Sequence, residues 1–303
     1  MNKFEFKGVG VALVTPFNQD RKIDYKVLEN LIKYHIARKT DYIVALGTTG
    51  EAPCLSLDEK NEIVRVISSV TEKKIPLVVG VGDNETQYSV DSFKGYDFSK
   101  IDAVMSCVPY YNKPTQRGIL EHFKAIDKRS PVPILLYNVP SRTGVNMTSQ
   151  TTLELAHHSN KIIGIKEAAG DVVQVSEIIK DAPEHFAVVS GDDSLTLPTM
   201  SLGGKGVISV LANIYPSLCV EMVRKFSEGK IHEARVVHNR TLDLCNLLFA
   251  EGNPCGIKAA MSEVGLLQNV LRLPLVPVSE TTQTAIAKEL ENYKDLSINI
   301  ISQ

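Results

Sequence analysis

The chain has 303 residues, enough for one large barrel or two smaller domains. Its 44% hydrophobic and 22% charged residues mark an ordinary globular chain, and a formal net charge of -2 leaves no basic excess to suggest nucleic acid. No run approaches the ~18 apolar residues of a transmembrane helix, and Met1 to Lys7 shows no apolar signal-peptide core.

In chain order, the first strand-like run is Gly8–Phe17, followed by helical periodicity over Tyr25–Ala37, with Val27, Leu28, Leu31 and Ile32 on one face. Tyr42–Gly47 reads as the second strand, and Leu57–Val70, carrying Ile63, Val64, Val66 and Ile67, as the next helix. Further strands follow at Leu77–Gly82, Ala103–Val108, Pro133–Val139, Ile162–Ala168, Ala187–Asp192 and Gly206–Val210, with Val172–Ile179 helical between two of them. Continuous apolar strands alternating with amphipathic helices predict a parallel sheet covered on the outside. Strand ends recur roughly every 20 to 35 residues, the length of a βα unit. Eight such units predict an α/β fold of the closed (β/α)8 TIM-barrel class, with an open doubly wound sheet as the alternative.

After Val210 the pattern becomes helical: Pro216–Glu228, Ile231–Phe249, Asn253–Gly265 and Ser279–Tyr293, with a proline-rich stretch at Leu273 to Pro277. The expected division is a barrel over residues 1–228 and an all-helical C-terminal extension over 229–303.

Several chemistries find no support. Cys54, Cys107, Cys219, Cys245 and Cys255 are scattered, odd in number and without a CxxC pair, which argues against a disulfide framework or zinc site and fits a reducing cytoplasm. Cys107, inside an apolar run, and Cys54 read as packing residues. The seven histidines form no HExxH, His157 and His158 read as a polar helix end, and no metal site is expected. Gly80 to Glu85 is a poor match to the dinucleotide fingerprint. Leu202 to Gly206 is glycine-rich but precedes the eighth strand, which disfavours a flavin- or phosphate-binding barrel.

In a barrel of this class the active site lies at the C-terminal strand ends. Those positions carry Gly47-Thr48-Thr49-Gly50-Glu51, Pro109-Tyr110-Tyr111-Asn112, Tyr137-Asn138-Val139-Pro140 followed by Ser141-Arg142-Thr143-Gly144, Lys166-Glu167, and Gly191-Asp192-Asp193. Lys166 ends an apolar run, Ile162 to Ile165. Burial disfavours an ammonium ion, and a lysine that sheds its proton is a nucleophile able to form a Schiff base with a carbonyl compound. The alternative is a snorkelling lysine. Thr48 and Thr49 are either turn residues bonding local backbone or a pair that presents hydroxyls and N–H groups to a carboxylate. Tyr137 is a core aromatic or a site residue, and Tyr110 and Tyr111 are candidate interface aromatics. Arg142 is a surface arginine or a carboxylate clamp. Asp192-Asp193 suits a helix N-cap better than a metal.

Together these motifs resemble the dihydrodipicolinate synthase (4-hydroxy-tetrahydrodipicolinate synthase) family of the N-acetylneuraminate lyase superfamily. The similarity runs in order along nearly the whole chain, through GTTGE at Gly47 to Glu51, PYYN-x-P at Pro109 to Pro114, YNVPxRTG at Tyr137 to Gly144, and GxKEA at Gly164 to Ala168. Gly191-Asp192-Asp193 and Asn253-Pro254 are similar to later landmarks. The resemblance implies that Lys166 condenses with pyruvate and that the enamine attacks L-aspartate 4-semialdehyde, in lysine and diaminopimelate biosynthesis, without metal or organic cofactor.

It further implies that Tyr137 is the acid–base group, relayed through Thr48 and Tyr111. Thr49 joins Thr48 on the pyruvate carboxylate, Arg142 receives the carboxylate of the aldehyde, and Gly191 and the Ile208 backbone line the pyruvate side. Tyr137 lies 29 residues before Lys166, about one βα unit, so the two are expected on neighbouring strands. The family's usual assembly is a homotetramer, a dimer of dimers, in which the tyrosine matching Tyr111 reaches into an adjacent subunit. Arg142 and the double threonine disfavour a neuraminate lyase or another ketodeoxy sugar-acid aldolase, and retention of Lys166, Tyr137 and Arg142 disfavours a non-catalytic barrel.

Two departures stand out. Cys255-Gly256 replaces the aliphatic residue and second proline common in relatives. Lysine-inhibited relatives carry a glutamate at the position of Tyr88 and histidines at those of Leu57 and Lys60. Asn84 and Tyr110 match that site, but Tyr88 lacks a carboxylate and Lys60 adds like charge, so weak or absent inhibition by L-lysine is expected.

Overall fold

The computed structural model describes residues 4–296. Eight parallel strands close into a barrel in the order β1-β2-β3-β4-β5-β6-β7-β8. They are β1 (Gly8–Ala12), β2 (Tyr42–Ala45), β3 (Leu77–Gly80), β4 (Ala103–Cys107), β5 (Ile134–Asn138), β6 (Ile162–Glu167), β7 (Ala187–Ser190) and β8 (Gly206–Ser209). All six residues of β6 and all five of β5 are buried, as expected of strands covered on both faces.

Helices alternate with them: α1 (Tyr25–Ala37), α2 (Leu57–Thr71), α3 (Thr86–Ser92), α4 (Gln116–Arg129), α5 (Pro140–Thr143), α6 (Ser149–His158), α7 (Val172–Asp181), α8 (Thr196–Ser201) and α9 (Pro216–Ser227). Then come α10 (Ile231–Phe249), α11 (Cys255–Glu263) and α12 (Glu280–Leu290). Most begin at side chains that accept from orphan N–H groups. Ser56 and Glu59 form a reciprocal capping box on α2, and Asp24, Thr115, Thr148, Asp171 and Ser279 cap α1, α4, α6, α7 and α12. Among the described residues no helix is long and apolar enough to cross a membrane.

The described residues pack as two compact units, 4–8 with Pro76–Ile208, and Val9–Ile75 with 209–296. The turn near residue 228, where Gly229 takes φ 77°, lies within the second. In that unit α10 packs on both α9 and α11. The departure at Gly256 has a steric reason: an added Cβ would lie 2.3 Å from the Leu248 carbonyl oxygen, so α11 approaches α10 too closely for a side chain.

The elements differ from the sequence reading mainly at their ends. The first strand stops at Ala12 instead of running to Phe17: Leu13 N–H makes the last ladder bond, to the Val44 carbonyl of β2, and the Val14 N–H is then taken by Asn213 Oδ1 at 3.0 Å. The helix expected from Asn253 begins at Cys255. The one expected to reach Tyr293 ends at Leu290 and continues as a 3-10 turn over Glu291–Tyr293.

Candidate active site

The register of β5 on β6 pairs Tyr137 with Lys166 and Asn138 with Glu167. Successive strand residues point to opposite faces, so this register sorts four side chains into two pairs. Glu167 accepts from Gln174 of α7 and from Asn138, which identifies theirs as the helix-facing side. Tyr137 and Lys166 therefore face the barrel interior. Lys166 Nζ sits 4.3 Å from the centroid of the Tyr137 ring, and the two residues are 6% and 7% exposed. The register continues with Lys166 opposite Val189 of β7 and Cys107 of β4 opposite Tyr137. By the same alternation Gly191 and Ile208 fall on the interior side: Ser190, outward, pairs with Val207.

Gly191 is where the backbone must be bare. An added Cβ there would meet Ala168 Cβ at 2.7 Å, Lys166 Cε at 3.0 Å and Lys166 Cγ at 3.1 Å. Its N–H donates to the Glu167 carbonyl at 2.7 Å, which ties β7 to the end of β6 beside the lysine. Asp192 caps the following 3-10 turn by accepting from Ser194 N–H at 2.8 Å, the N-cap role its position suggested.

On the opposite face the Glu167 carboxylate is buried but fully served. Asn138 Nδ2 donates to both of its oxygens at 3.1 Å, Gln174 Nε2 donates at 3.0 Å and Ala169 N–H at 2.7 Å. Desolvation pushes its pKa up, with these donors pulling the other way. Asn146 extends the network to Gln174 at 2.8 Å and Asn138 at 2.7 Å. This carboxylate clamps the strand that carries Lys166.

After β5 the chain turns into the single-turn helix α5, which carries Arg142 at an exposed position and ends at Gly144, φ 76°. Tyr111 is 87% exposed and left-handed at φ 72°, and its N–H donates to the Thr143 carbonyl at 3.2 Å. A bulky non-glycine residue in that region is strained, and such strain collects at functional positions. Tyr110 reaches Asp83 with its hydroxyl at 3.5 Å, and Asn112 Nδ2 donates to the Asn84 carbonyl at 3.0 Å.

The threonine loop belongs to the other unit. Thr48, half-buried, and Thr49, buried, occupy a turn closed by Gly50 N–H to the Gly47 carbonyl and Glu51 N–H to the Thr48 carbonyl, each 3.1 Å. The Thr49 hydroxyl has a partner far along the chain: Oγ1 accepts from Asn253 Nδ2 at 2.9 Å. Glu51, left-handed at φ 53°, forms a fully buried ion pair with Lys258 at 2.5 Å, and its other oxygen accepts from Arg272 N–H at 3.0 Å.

The Asn138–Asn146–Gln174 cradle and the Glu51–Lys258 pair are not visible in the sequence. Glu167, directly after Lys166, was the only available signal for the first. For the second, a buried lysine on an apolar helix is visible only once α11 is packed. Asn253 was noticed without a role. Among the described residues no group of three or more His, Cys, Asp or Glu is arranged to hold a metal ion.

A model of the dihydrodipicolinate synthetase family matches residues 5–293. The 4-hydroxy-tetrahydrodipicolinate synthase of Azobacteroides pseudotrichonymphae genomovar. CFP2 is 48% identical over 294 residues, covering 97% of this chain and 99% of the relative. Among solved structures, a monomeric dihydrodipicolinate synthase variant superposes with TM-score 0.93 at 37% identity, covering 96% of this chain and 98% of its own. The chloride-inhibited dihydrodipicolinate synthase from Acinetobacter baumannii, complexed with pyruvate, gives 0.91 at 39% identity, covering 94% and 98%. With the family model spanning almost the whole chain and a relative at nearly half identity along it, this chain belongs to the dihydrodipicolinate synthetase family.

Proposed function

We propose that the chain is the lyase-type enzyme of this family, condensing pyruvate with L-aspartate 4-semialdehyde to give 4-hydroxy-tetrahydrodipicolinate for lysine and diaminopimelate biosynthesis. The observation that carries the reading is the pairing of Lys166 with Tyr137 across β5 and β6, both buried on the interior face. One supplies an amine and the other a phenol, the two groups an imine mechanism needs side by side. The pyruvate complex of the Acinetobacter baumannii neighbour supports the first substrate.

In this reading the neutral Lys166 amine attacks the pyruvate ketone and the carbinolamine loses water to give an iminium. The methyl carbon then loses a proton, and the C–H electron pair moves into the iminium to give an enamine. The enamine carbon adds to the aldehyde of the second substrate, whose oxygen takes up a proton. That substrate's amino group closes the ring onto the iminium carbon and expels Lys166, so the lysine acts as covalent catalyst and no further cofactor is invoked. Tyr137 shuttles the protons, with Thr48 and Tyr111 as its relay. Thr48 and Thr49 hold the pyruvate carboxylate, Arg142 takes that of the semialdehyde, and Gly191 and the Ile208 backbone line the pyruvate side.

We take residues 1–228 as the catalytic barrel, 229–303 as a helical extension, the assembly as a homotetramer and the compartment as the cytoplasm. The exposure and strain at Tyr111 support a side chain that finds its partner in another subunit. Tyr88, 64% exposed and without a carboxylate, supports weak inhibition by L-lysine, which a lysine titration of initial rates checks.

The experiment is borohydride trapping with pyruvate at neutral pH, read by intact mass and peptide mapping. A reduced pyruvate adduct on Lys166 is expected, together with its loss in Lys166→Ala. A folded protein that forms no adduct, or one on a different lysine, refutes the mechanism.

A further inference from the structure

Asn253 precedes α11, in the region assigned to the helical extension, yet its side chain meets the threonine loop 204 residues earlier in the chain. In the structure it is the amide nitrogen of Asn253 that faces the Thr49 hydroxyl. An amide nitrogen has protons and no free lone pair, so Asn253 Nδ2 can only donate and Thr49 Oγ1 can only accept. A threonine hydroxyl carries one proton and two lone pairs. With a lone pair committed to Asn253, its proton is directed elsewhere.

We infer that Asn253 is a positioning residue for pyruvate: by donating to Thr49 it turns the threonine hydroxyl into a donor aimed at the substrate carboxylate. The inference rests on the proposed role of Thr49 as a carboxylate ligand and names what sets the polarity of that ligand. A hydroxyl free to rotate would have to be ordered as each substrate binds. One already held by an amide meets the carboxylate with its proton in place, and a bond to an ionised acceptor is among the stronger kinds.

The same lead-in fixes the loop at a second point. Lys258, on the first turns of α11, donates to Glu51 at 2.5 Å and to the Val270 carbonyl at 3.0 Å, and Glu51 follows Thr49 by two residues. The segment beyond residue 229 thus sets both the place of the loop, through Glu51, and the direction of its hydroxyl, through Thr49.

The test is a double-mutant cycle on pyruvate recognition, with Asn253→Ala and Thr49→Val alone and together, and Asn253→Asp alongside. Asparagine to aspartate keeps the shape but reverses the polarity: a carboxylate would draw the threonine proton to itself. The readouts are the pyruvate dependence of borohydride trapping on Lys166 and the steady-state KM for each substrate against kcat. Asn253→Ala should raise the pyruvate KM and the half-saturation of trapping about tenfold, the worth of one hydrogen bond to a charged group. The KM for the semialdehyde should change by less than about twofold, as expected where a single interaction is lost on one substrate only. Asn253→Asp should raise the pyruvate values further, and neither change should add to Thr49→Val.

Equal increases in the wild-type and Thr49→Val backgrounds, or no increase in the first, overturn the inference. If Asn253→Ala does not fold, the isosteric Asn253→Asp run through the same cycle decides it. Thr49→Val with unchanged pyruvate saturation would instead remove the carboxylate role of Thr49, and a wild-type protein without any adduct would remove the Schiff-base reading, so the three failures are distinguishable.

Discussion

Gly191 shows how tightly the surroundings of one amine are drawn. Its backbone conformation is open to any residue, so the constraint is purely one of space: an added methyl would lie 3.0 Å from Lys166 Cε and 2.7 Å from Ala168 Cβ. The lysine chain is the flexible partner and would be pushed aside, while Ala168 Cβ, fixed to its backbone, would force the strand ends apart. Displacement of the attacking nitrogen by about 1 Å costs on the order of a hundredfold in rate. Gly191→Ala should therefore lower kcat by ten- to a hundredfold and also lower the melting temperature, because the Ala168 contact can be relieved only by a backbone shift, and the Lys166 adduct should form more slowly in single-turnover trapping. Unchanged turnover in that variant would mean that Lys166 does not work in the rotamer described here. At this scale Lys166 itself was legible because a lysine ending an apolar run is conspicuous. The bareness that Gly191 requires was not, since a glycine at a strand end is equally well explained by a turn.

The loop Gly47 to Glu51 and helix α11 form the next level. Lys258 and Glu51 are both fully buried, and the lysine also lies 4.2 Å from the centroid of the Phe17 ring. Burial pulls the Lys258 pKa down, and the Glu51 carboxylate opposes it. Removing one member of such a pair strands a charge in the interior, a loss of about 3 to 5 kcal/mol, whereas removing both costs much less. Lys258→Met should lower the unfolding free energy measured in urea by an amount of that order, and Glu51→Gln with Lys258→Met should recover a good part of it. A single variant as stable as the parent would show that water reaches the pair. Arg272, beyond α11, adds a second clamp, onto the start of α2. It forks onto both oxygens of Glu59 at 2.6 and 2.8 Å, and Glu59 also closes the capping box of α2. None of this could be read from the sequence, where Glu51 and Lys258 stand 207 residues apart. By contrast, the strands and the helices between them were readable because their periodicity is local. Where ends shifted, as at Ala12, the cause was again a distant partner, Asn213 Oδ1 capturing the Val14 N–H.

At the level of the molecule, the barrel followed from counting apolar runs, and most of the candidate site from which residues end them. What the count could not supply was the interior chemistry of the helices, and the histidines are its clearest case. His35 of α1 is fully buried, its Nδ1 is 3.1 Å from Thr40 Oγ1, and desolvation depresses its pKa to about 3. His122 of α4 is buried with Nδ1 3.0 Å from Thr86 Oγ1, and desolvation depresses it to about 4. Both are therefore neutral in the folded protein well below the value near 6.5 that they regain on unfolding. Between those limits the unfolded chain binds more protons than the folded one, so stability falls as pH falls. The histidine contribution is present in full above about pH 6.5 and drains away on acidification, at up to about 1.4 kcal/mol per pH unit for each histidine. Glu167, whose pKa burial raises, works in the opposite sense and offsets part of the loss as pH nears the carboxylate range. Urea unfolding at pH 7.5, 6.0 and 5.0 should show the steepest loss between the last two, and His122→Gln should flatten that slope by about the share of one proton. A profile level from pH 7.5 to 5.0 would mean that these rings are protonated inside the folded chain, against the desolvation argument. The site residues lie on strand ends and loops while these histidines lie on covering helices. The pH dependence of stability should therefore be separable from that of the Lys166 chemistry: His122→Gln should leave the pH profile of pyruvate adduct formation unchanged while it flattens the unfolding profile.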